Sequence, residues 1–372
     1  MKLIAVAVML GIAASGLLAV TGPLVSRYFQ QQYAIAAYRP EQLVVPEDAA
    51  IAEELTLEGL RWISHEKWYC HTTALQMAAQ SLDMEASVHE LNFVTGFTYG
   101  AFCSADQSSF ISYNDPLAGA QAGCQHLGMR PHYIVTDDPW EYLDGIKRAL
   151  CQGSAVILQL NAAKLWNEKG FFPHSEVLVG YDTSGFFYLE TALEDRDLPE
   201  AEGIRISNRH LLDAVRELNE IFARPWTYAF ITLEACTPIG GPEEVLKRNG
   251  ENTIGQVYGP TATGAPAIRR YAKLVLEEGC ITNAWALETL SYTRTDNAAY
   301  LEQRFPEDED VLKAAALLRE AGLCYQEVAT LACPKIDLDQ KTCDEVFDLF
   351  NKGASLEERA GEILLQLSAS GS

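Results

Sequence analysis

The chain has 372 residues, a mass of 41.0 kDa and a formal net charge of −23. A hydrophobic content of 48% with a charged content of 21% is typical of globular proteins and excludes an intrinsically disordered chain. The strong negative charge argues against nucleic acid as a partner, because every approach to phosphate would begin with repulsion. At this length we expect two folded units and additional segments.

The N-terminal segment is an apolar run from Leu3 to Val25, preceded by Lys2 and followed by Arg27 as the next charge. Such a run can span a bilayer, whereas the apolar core of a cleaved signal is usually about 7–15 residues long. We predict a transmembrane anchor over residues 1–26, with the body extracytoplasmic because Lys2 stays on the inner side. A signal peptide cleaved near Ala14-Ser15-Gly16 is the alternative.

The next stretch, residues 27–55, is rich in glutamine and is then interrupted by Pro40 and Pro46. This composition predicts a stalk or linker. From residue 56 to 236, helical and strand patterns alternate, which predicts one folded domain. Helices are expected over Cys70–Asp83, Ser87–Thr95, Leu117–Leu127, Trp140–Cys151 and His210–Phe222, and strands over Met129–Val135, Gly153–Leu160 and Thr227–Leu233.

A β-hairpin is predicted between these elements. Its first strand is Pro173–Asp182 and its second is Phe186–Glu190, separated by Thr183-Ser184-Gly185. If His174 and Glu190 are to share a face, the hairpin needs an odd loop or a bulge, for which Gly185 offers a positive φ.

Past Cys236 the sequence changes character, and residues 237–372 are predicted to form an all-α C-terminal domain. Prolines and glycines between Pro238 and Pro266 predict a broken linker. Amphipathic helices are then expected over Pro266–Glu278, Ala284–Tyr292, Val311–Leu331 and Leu356–Leu367. The expected fold class is therefore α+β.

Cys70, His174 and Glu190 are the predicted catalytic triad. A cysteine at a helix N-terminus meets the positive end of the helix dipole, which favours the thiolate. A thiol nucleophile needs a base, and the base needs an acceptor that orients it. Asp182 is the competing acid, but it lies at the hairpin turn. The ordinary alternatives are a buried structural cysteine and a strand-end histidine.

Four further residues are predicted to serve the same site. Ser64 and His65 precede the nucleophile and are candidate oxyanion donors. Trp68 is expected to form one wall of the cleft. Asn161 is expected to line the pocket, or alternatively to be a turn residue at the end of a strand. The sequence contains no P-loop, dinucleotide fingerprint, G-x-S-x-G or H-E-x-x-H pattern, and we expect no metal or cofactor.

Nine cysteines are present, and none of them forms a C-x-x-C pair. Setting Cys70 aside as a nucleophile leaves an even number, so disulfides in part of the set would fit an oxidising compartment. A loop closed by Cys333 and Cys343 is one candidate. The alternative is that most of these cysteines are small buried apolar residues.

The segment Tyr69-Cys70-His71-Thr72-Thr73-Ala74-Leu75, the turn from Gly96 to Gly100, and the hairpin segments His174–Asp182 and Phe187–Glu190 resemble the butirosin-biosynthesis protein H family. The resemblance extends to Gly153–Leu160 and, in the C-terminal helices, to Arg294–Gln303 and Val311–Leu331. It implies a papain-like N-terminal domain related to bacteriocin-leader peptidases, with the cysteine helix packed on an antiparallel sheet. It also implies acyl transfer through a cysteine thioester.

Three functions follow as hypotheses. The first is a membrane-tethered acyltransferase or amide hydrolase that acts through a thioester on Cys70, on an acyl donor or peptide that the sequence does not identify. The second is a catalytically silent papain-like scaffold subunit of a membrane or surface assembly. The third is a cytosolic aminoacyl transferase that uses a carrier protein. Homo-oligomers and hetero-oligomers are both compatible with the sequence.

Overall fold

A computed structural model describes residues 27–28, 30–45, 51–65, 67–103, 110–192, 203–258, 261–281, 284–332 and 337–370. Contacts divide the chain into two compact units, each built from several stretches. The first unit comprises Met1–Glu58, His132–Leu189 and Glu202–Thr232. The second unit comprises Gly59–Pro131, Glu190–Ala201 and Leu233–Ser372.

The structure confirms the mixed α and β composition. The strands are β1 (Glu41–Gln42), β2 (Leu55–Thr56), β3 (Phe102–Cys103), β4 (Phe110–Ile111), β5 (Met129–Thr136), β6 (Val156–Asn161), β7 (Pro173–Asp182), β8 (Gly185–Leu189), β9 (Ile204–Ser207), β10 (Tyr228–Ala235), β11 (Val257–Tyr258) and β12 (Thr261–Thr263). The helices are α1 (Cys70–Ala79), α2 (Val88–Thr95), α3 (Pro116–Gly123), α4 (Pro139–Cys151), α5 (Ala162–Leu165), α6 (Asn208–Ile221), α7 (Pro242–Ile254), α8 (Gly264–Glu278), α9 (Ala284–Arg304), α10 (Glu309–Ala332) and α11 (Gln340–Ser370). Short 3₁₀ turns extend α1 over Gln80–Leu82 and α3 over Cys124–Leu127.

Most of the first unit is built on a large sheet. Among the described residues this sheet has eight strands in the order β1-β5-β10-β6-β7-β8-β9, and β2 also pairs with β7. β1 runs parallel to β5, whereas β6, β7, β8 and β9 are successively antiparallel. Every residue of β6 is buried, which explains why its sequence is almost continuously apolar instead of alternating.

The predicted hairpin is confirmed as β7 and β8, and it contains a bulge. The register shifts between Leu178 and Gly180, on the first strand. Gly185 does not have a positive φ, so the expectation that this glycine supplies the irregularity was wrong. Its role is steric, because a Cβ at Gly185 would collide with the backbone carbonyl of Ile206 on β9. A glycine thus allows β9 to pair closely with the end of the hairpin.

The helices of the first unit begin at side-chain caps. Asp138 accepts from the backbone N–H groups of Trp140 and Glu141 at 2.7 and 3.0 Å, and Pro139 follows at the first helical position of α4. Ser207 caps α6 in the same way. The apolar faces of α4 and α6 share one core with the sheet, to which Tyr142, Leu150, Val156, Leu158, Phe186, Val215 and Phe230 contribute.

The second unit contains a short helix pair, a small sheet and the long C-terminal helices. The helix predicted over Ser87–Thr95 is confirmed as α2; Ser87 is its N-cap, and the helix ends at Gly96 with a φ of 67°. Among the described residues the small sheet has four strands in the order β11-β12-β3-β4. Two buried clusters hold this unit together, one around Tyr271, Leu290, Tyr325 and Phe350, and the other around Phe93, Leu301, Leu318 and Leu364.

Three sequence-based expectations for the linking segments were wrong. The predicted stalk over 27–55 contains helical residues at 30–38 and the strands β1 and β2. The predicted linker between Pro238 and Pro266 contains the helix α7, because Pro242 occupies a first-turn position where a missing N–H is harmless. The C-terminal part is not purely α-helical, since β11 and β12 extend the small sheet.

Two other expectations concern the membrane and the cysteines. No helix among the residues that the structure describes has the length and apolar composition needed to cross a bilayer, and the predicted anchor from Leu3 to Val25 lies outside those residues. None of the described cysteines is joined to another in a disulfide, so the expected cross-links are not found there. Cys333 lies outside the described residues, and with it the predicted Cys333–Cys343 loop.

Candidate functional site

The predicted nucleophile, Cys70, is the first residue of α1 in the second unit and is half-buried. The first turn of α1 contains no acidic side chain. A negative charge on the Cys70 Sγ atom would therefore lie at the positive end of the helix dipole, beside backbone N–H groups that have no partner within the helix. This position suits a thiolate nucleophile.

The residues that follow Cys70 fix the orientation of α1. The Thr72 hydroxyl donates to the Asn92 side-chain oxygen on α2 at 2.8 Å, and both side chains are buried. His71 is buried and lies beside the Phe97 ring, with 6.3 Å between ring centroids. These contacts support the interpretation of His71 as a local packing residue.

The three predicted oxyanion and cleft residues before Cys70 all lie in the second unit. Ser64 is half-buried. His65 Nε2 lies 3.3 Å from Gln76 Oε1, and its backbone N–H donates to Thr191 O at 3.2 Å. The Trp68 ring makes an edge contact with Trp285, at 5.9 Å between centroids. The oxyanion roles of Ser64 and His65 and the cleft role of Trp68 stay predictions.

His174 lies at the start of β7 in the first unit, where its side chain is fully buried. Its Nε2 atom is 3.2 Å from the Oε1 atom of Glu176, whose side chain is also fully buried. Residues i and i+2 of a strand point to the same face, so the strand geometry alone places these two side chains side by side. A carboxylate in this position orients the imidazole and stabilises its protonated form.

Glu176 is a candidate site residue that the sequence reasoning missed. The signal was present, because the predicted strand Pro173–Asp182 already placed Glu176 two residues from His174. The hairpin pattern pointed to Glu190 on the returning strand and to Asp182 at the turn, but not to the position two residues after His174. An acid inside an apolar strand is itself informative, because a carboxylate is rarely buried without a partner.

Glu190 follows β8 directly and belongs to the second unit. Its side chain is buried, and one of its carboxylate oxygens accepts from the Ala192 backbone N–H at 3.1 Å. Its backbone carbonyl accepts from Trp62 Nε1 at 2.8 Å. By contacts, Cys70 and Glu190 belong to the second unit and His174 to the first, and the triad of these three residues stays a prediction.

Asn161 is a helix cap. Its Oδ1 atom accepts from the backbone N–H groups of Ala163 and Phe172 at 3.2 and 2.8 Å. Its Nδ2 group donates to Gly170 O and to Glu217 Oε2 at 3.2 and 2.9 Å. With the amide engaged on both sides, the strand-end alternative accounts for Asn161, and its predicted pocket role stays a prediction.

Aromatic side chains surround the His174 ring. Trp166 and Phe172 lie with their ring centroids 5.9 and 5.7 Å from the imidazole. Phe171, next in the chain to Phe172, is exposed and packs on Phe222 at 5.7 Å. An apolar surrounding strengthens the electrostatic interaction between the imidazole and its carboxylate, because the local dielectric is low.

His174, Glu176 and Glu190 each offer one atom that could bind a metal. Imidazole nitrogen and carboxylate oxygen are both common zinc ligands. Protein zinc sites use three or four protein ligands, and the expectation that no metal binds stays a prediction.

No protein-family model matches the chain, and no curated protein matches it. Among solved structures, the chain is similar to a crystal structure of a Bacillus anthracis protein that is described provisionally as a C39-like peptidase. The TM-score is 0.32 and the sequence identity is 12%, and the match covers 49% of this chain and 98% of that one. Similarity at this level does not assign the chain to a family.

Proposed function

We propose that this protein is a cysteine-dependent enzyme of papain-like type that carries out acyl transfer or amide hydrolysis. The observation that carries the proposal is the buried pair of His174 and Glu176, with 3.2 Å between the imidazole nitrogen and the carboxylate. A histidine held in this way is suited to general acid and base catalysis. The half-buried Cys70 at the N-terminus of α1 supplies a nucleophile of the matching type.

The reaction proceeds in two steps. The Cys70 thiol transfers its proton to the His174 imidazole, and the sulfur attacks the substrate carbonyl. The bond to the leaving group breaks, His174 returns the proton to that group, and a thioester remains on Cys70. Water or a second amine then attacks the thioester, which regenerates the thiol and releases an acid or an amide.

Two carboxylates are candidates for orienting His174 in this scheme. Glu176 is supported by its distance from the imidazole, whereas Glu190 is supported by the sequence argument from the hairpin. The two roles are separable, because each carboxylate can be replaced by the isosteric amide. We assign the orienting role to Glu176 and keep Glu190 as the alternative.

Alkylation of Cys70 tests the proposal. Folded protein is treated with iodoacetamide at neutral pH, and labelling of the Cys70 peptide is followed by mass spectrometry. We expect His174→Ala to slow this labelling by at least about tenfold, because the base that generates the thiolate is lost. Glu176→Gln is expected to slow it more than Glu190→Gln.

A matched control is available in the same unit. His132 Nδ1 lies 2.8 Å from Glu41 Oε1 on the sheet, so His132→Ala removes a second histidine from a histidine–carboxylate pair. This variant should label at the wild-type rate. An unreactive Cys70 in folded wild-type protein, or equal labelling in His174→Ala, would contradict the proposal and favour the catalytically silent scaffold.

The substrate and the cellular location extend the proposal. We propose an acyl donor or peptide as the substrate, and attachment to a membrane through the apolar segment Leu3 to Val25, with the body extracytoplasmic. The uncharged apolar sequence of this segment motivates the proposed attachment.

A further inference from the structure

The segment that leads into Cys70 is held by two side chains of the helix α9. The Asp296 carboxylate accepts from Lys67 Nζ at 2.7 and 2.8 Å and from the Tyr69 hydroxyl at 2.6 Å. The Tyr292 hydroxyl accepts from the Trp68 backbone N–H at 2.9 Å. Tyr292 and Asp296 are four residues apart on a helix, so they lie on one face.

Tyr69 links these hydrogen bonds to Cys70. It is the N-cap residue of α1, and its backbone carbonyl accepts from the Thr73 N–H at 2.8 Å. Its side chain is only 1% exposed, and its ring packs edge-on against Tyr292 with 5.6 Å between centroids. A displacement of Tyr69 therefore displaces the first turn of α1, on which Cys70 stands.

The hydroxyl of a second tyrosine, Tyr113, contacts the Tyr292 hydroxyl. Tyr113 and Tyr292 are joined by a hydrogen bond between their hydroxyl oxygens at 2.9 Å. Burial raises the pKa of both phenols, and the charge of Cys70 raises the pKa of each a little further. Both hydroxyls therefore stay protonated at neutral pH and lie within electrostatic range of the thiol.

We propose that Tyr292 and Asp296 are positioning residues that fix the Cys70 sulfur for attack. This inference rests on the proposed function, because it assigns α9 a role in presenting the same nucleophile. Hydrogen bonds from α9 reach Lys67, Trp68 and Tyr69 in succession, which is more than packing of α1 requires. The side chains act through the backbone before Cys70 and do not themselves touch the reacting atoms.

The test compares Tyr292→Phe and Asp296→Ala with wild-type full-length protein. Labelling of Cys70 by iodoacetamide is followed by mass spectrometry between pH 6 and 9, and labelling of the exposed Cys151 is measured in the same samples. We expect each variant to slow Cys70 labelling by at least about threefold to tenfold, the factor for one lost hydrogen bond, because each variant removes more than one. The pH profile of Cys70 labelling should change, while the rate at Cys151 should not.

Tyr300→Phe is the control, because it removes the same atom from another half-buried tyrosine of α9. It should leave Cys70 labelling unchanged. If Asp296→Ala does not fold, the conservative Tyr292→Phe decides. If folded Tyr292→Phe protein is labelled at Cys70 with the wild-type rate and pH profile, the inference is overturned. It is also overturned if labelling of Cys151 slows as much as labelling of Cys70.

The two proposals fail in different ways. If Cys70 of the wild-type protein does not react, the proposed function itself is wrong. If Cys70 reacts and His174→Ala slows it, but Tyr292→Phe and Asp296→Ala do not, the function stands and only the role of α9 is wrong.

Discussion

At the scale of single residues, His65 shows how burial near Cys70 changes the pKa of a histidine. Burial lowers the pKa of His65, the neighbouring charges of His89 and Lys67 lower it further, and the Gln76 side chain opposes the change. The unfolded chain then binds the proton more readily than the folded chain. Stability is therefore lost as the pH falls through the ordinary histidine range and below it.

Between pH 7 and pH 5, we expect the free energy of unfolding to fall less in His65→Gln than in the wild-type protein. Glutamine cannot be protonated, so this contribution to the pH dependence disappears. The free energy of unfolding in urea, measured at both pH values, checks the prediction. A loss on acidification as large as that of the wild-type protein would contradict it.

For single residues, the local sequence pattern predicted that Cys70 begins a helix and that His174 lies at the start of a strand. The structure has both residues in these positions. The sequence reasoning missed the orienting contact at Glu176, although strand alternation places that residue beside His174. A bulge in the hairpin was one of the predicted options, but its position between Leu178 and Gly180 could not be predicted, because it depends on the register of the partner strand.

At the scale of elements, a buried ion pair ties α9 to α11. Arg294 and Glu357 are each 1% exposed at the side chain, and two of their nitrogen–oxygen distances are 2.8 and 3.1 Å. The remaining guanidinium N–H groups reach the backbone carbonyls of Thr98, Gly100 and Ser112. This pair thus fixes the turn after α2 and two long helices at one point.

Arg294→Met is expected to lower the free energy of unfolding by about 3–5 kcal/mol, because the carboxylate of Glu357 is left buried without its counter-charge. The double variant with Glu357→Gln should recover part of this loss. Urea unfolding measures both. The exposed pair of Lys273 and Glu277 is the control, and Lys273→Met should change little. A loss from Arg294→Met no larger than that of the control would contradict the prediction.

Helices were predictable where apolar periodicity and caps coincide. Ser87 and Asp138 start α2 and α4 close to the predicted residues. The helix α7 was not predicted, because the glycines and prolines around it are typical of a linker. Pro242 is nevertheless compatible with the first turn of a helix. The small sheet was missed because strands of two or three residues carry no periodic signal.

At the scale of the whole molecule, the N-terminal apolar segment is the feature with the largest consequence for location. Its sequence from Leu3 to Val25 contains no charge, whereas the chain as a whole has a net charge of −23. An acidic body gains nothing from anionic lipid, so any attachment depends on apolar insertion.

We expect the full chain to sediment with phosphatidylcholine vesicles and to stay bound in high salt. Replacing Leu10 and Leu18 by arginine should release it, since each arginine costs about 2.5–3.5 kcal/mol at the centre of a bilayer. Val44→Arg, at an exposed position of the body, is the control and should remain bound. Equal sedimentation of the double arginine variant and the wild type would contradict the attachment.

The predicted boundary near Cys236 followed a change in composition along the chain, whereas contacts group the chain into interleaved stretches. Periodicity reports the local environment of a residue and carries no information about which distant segments pack together. The predicted domains over 56–236 and 237–372 therefore stay a prediction about sequence organisation. The contacts show that the stretch with Cys70 packs with the C-terminal helices within the second unit.

This interleaving has a consequence for protein synthesis. The first unit has all its segments once the ribosome has translated Thr232, but the second unit needs helices encoded at the end of the message. Cys70 emerges early, while Tyr292 and Asp296, which hold the residues before it, emerge late. A nascent or prematurely terminated chain thus carries the Cys70 thiol without the side chains of α9 that hold the residues before it, and the proposed nucleophile is held in place only when translation is nearly finished.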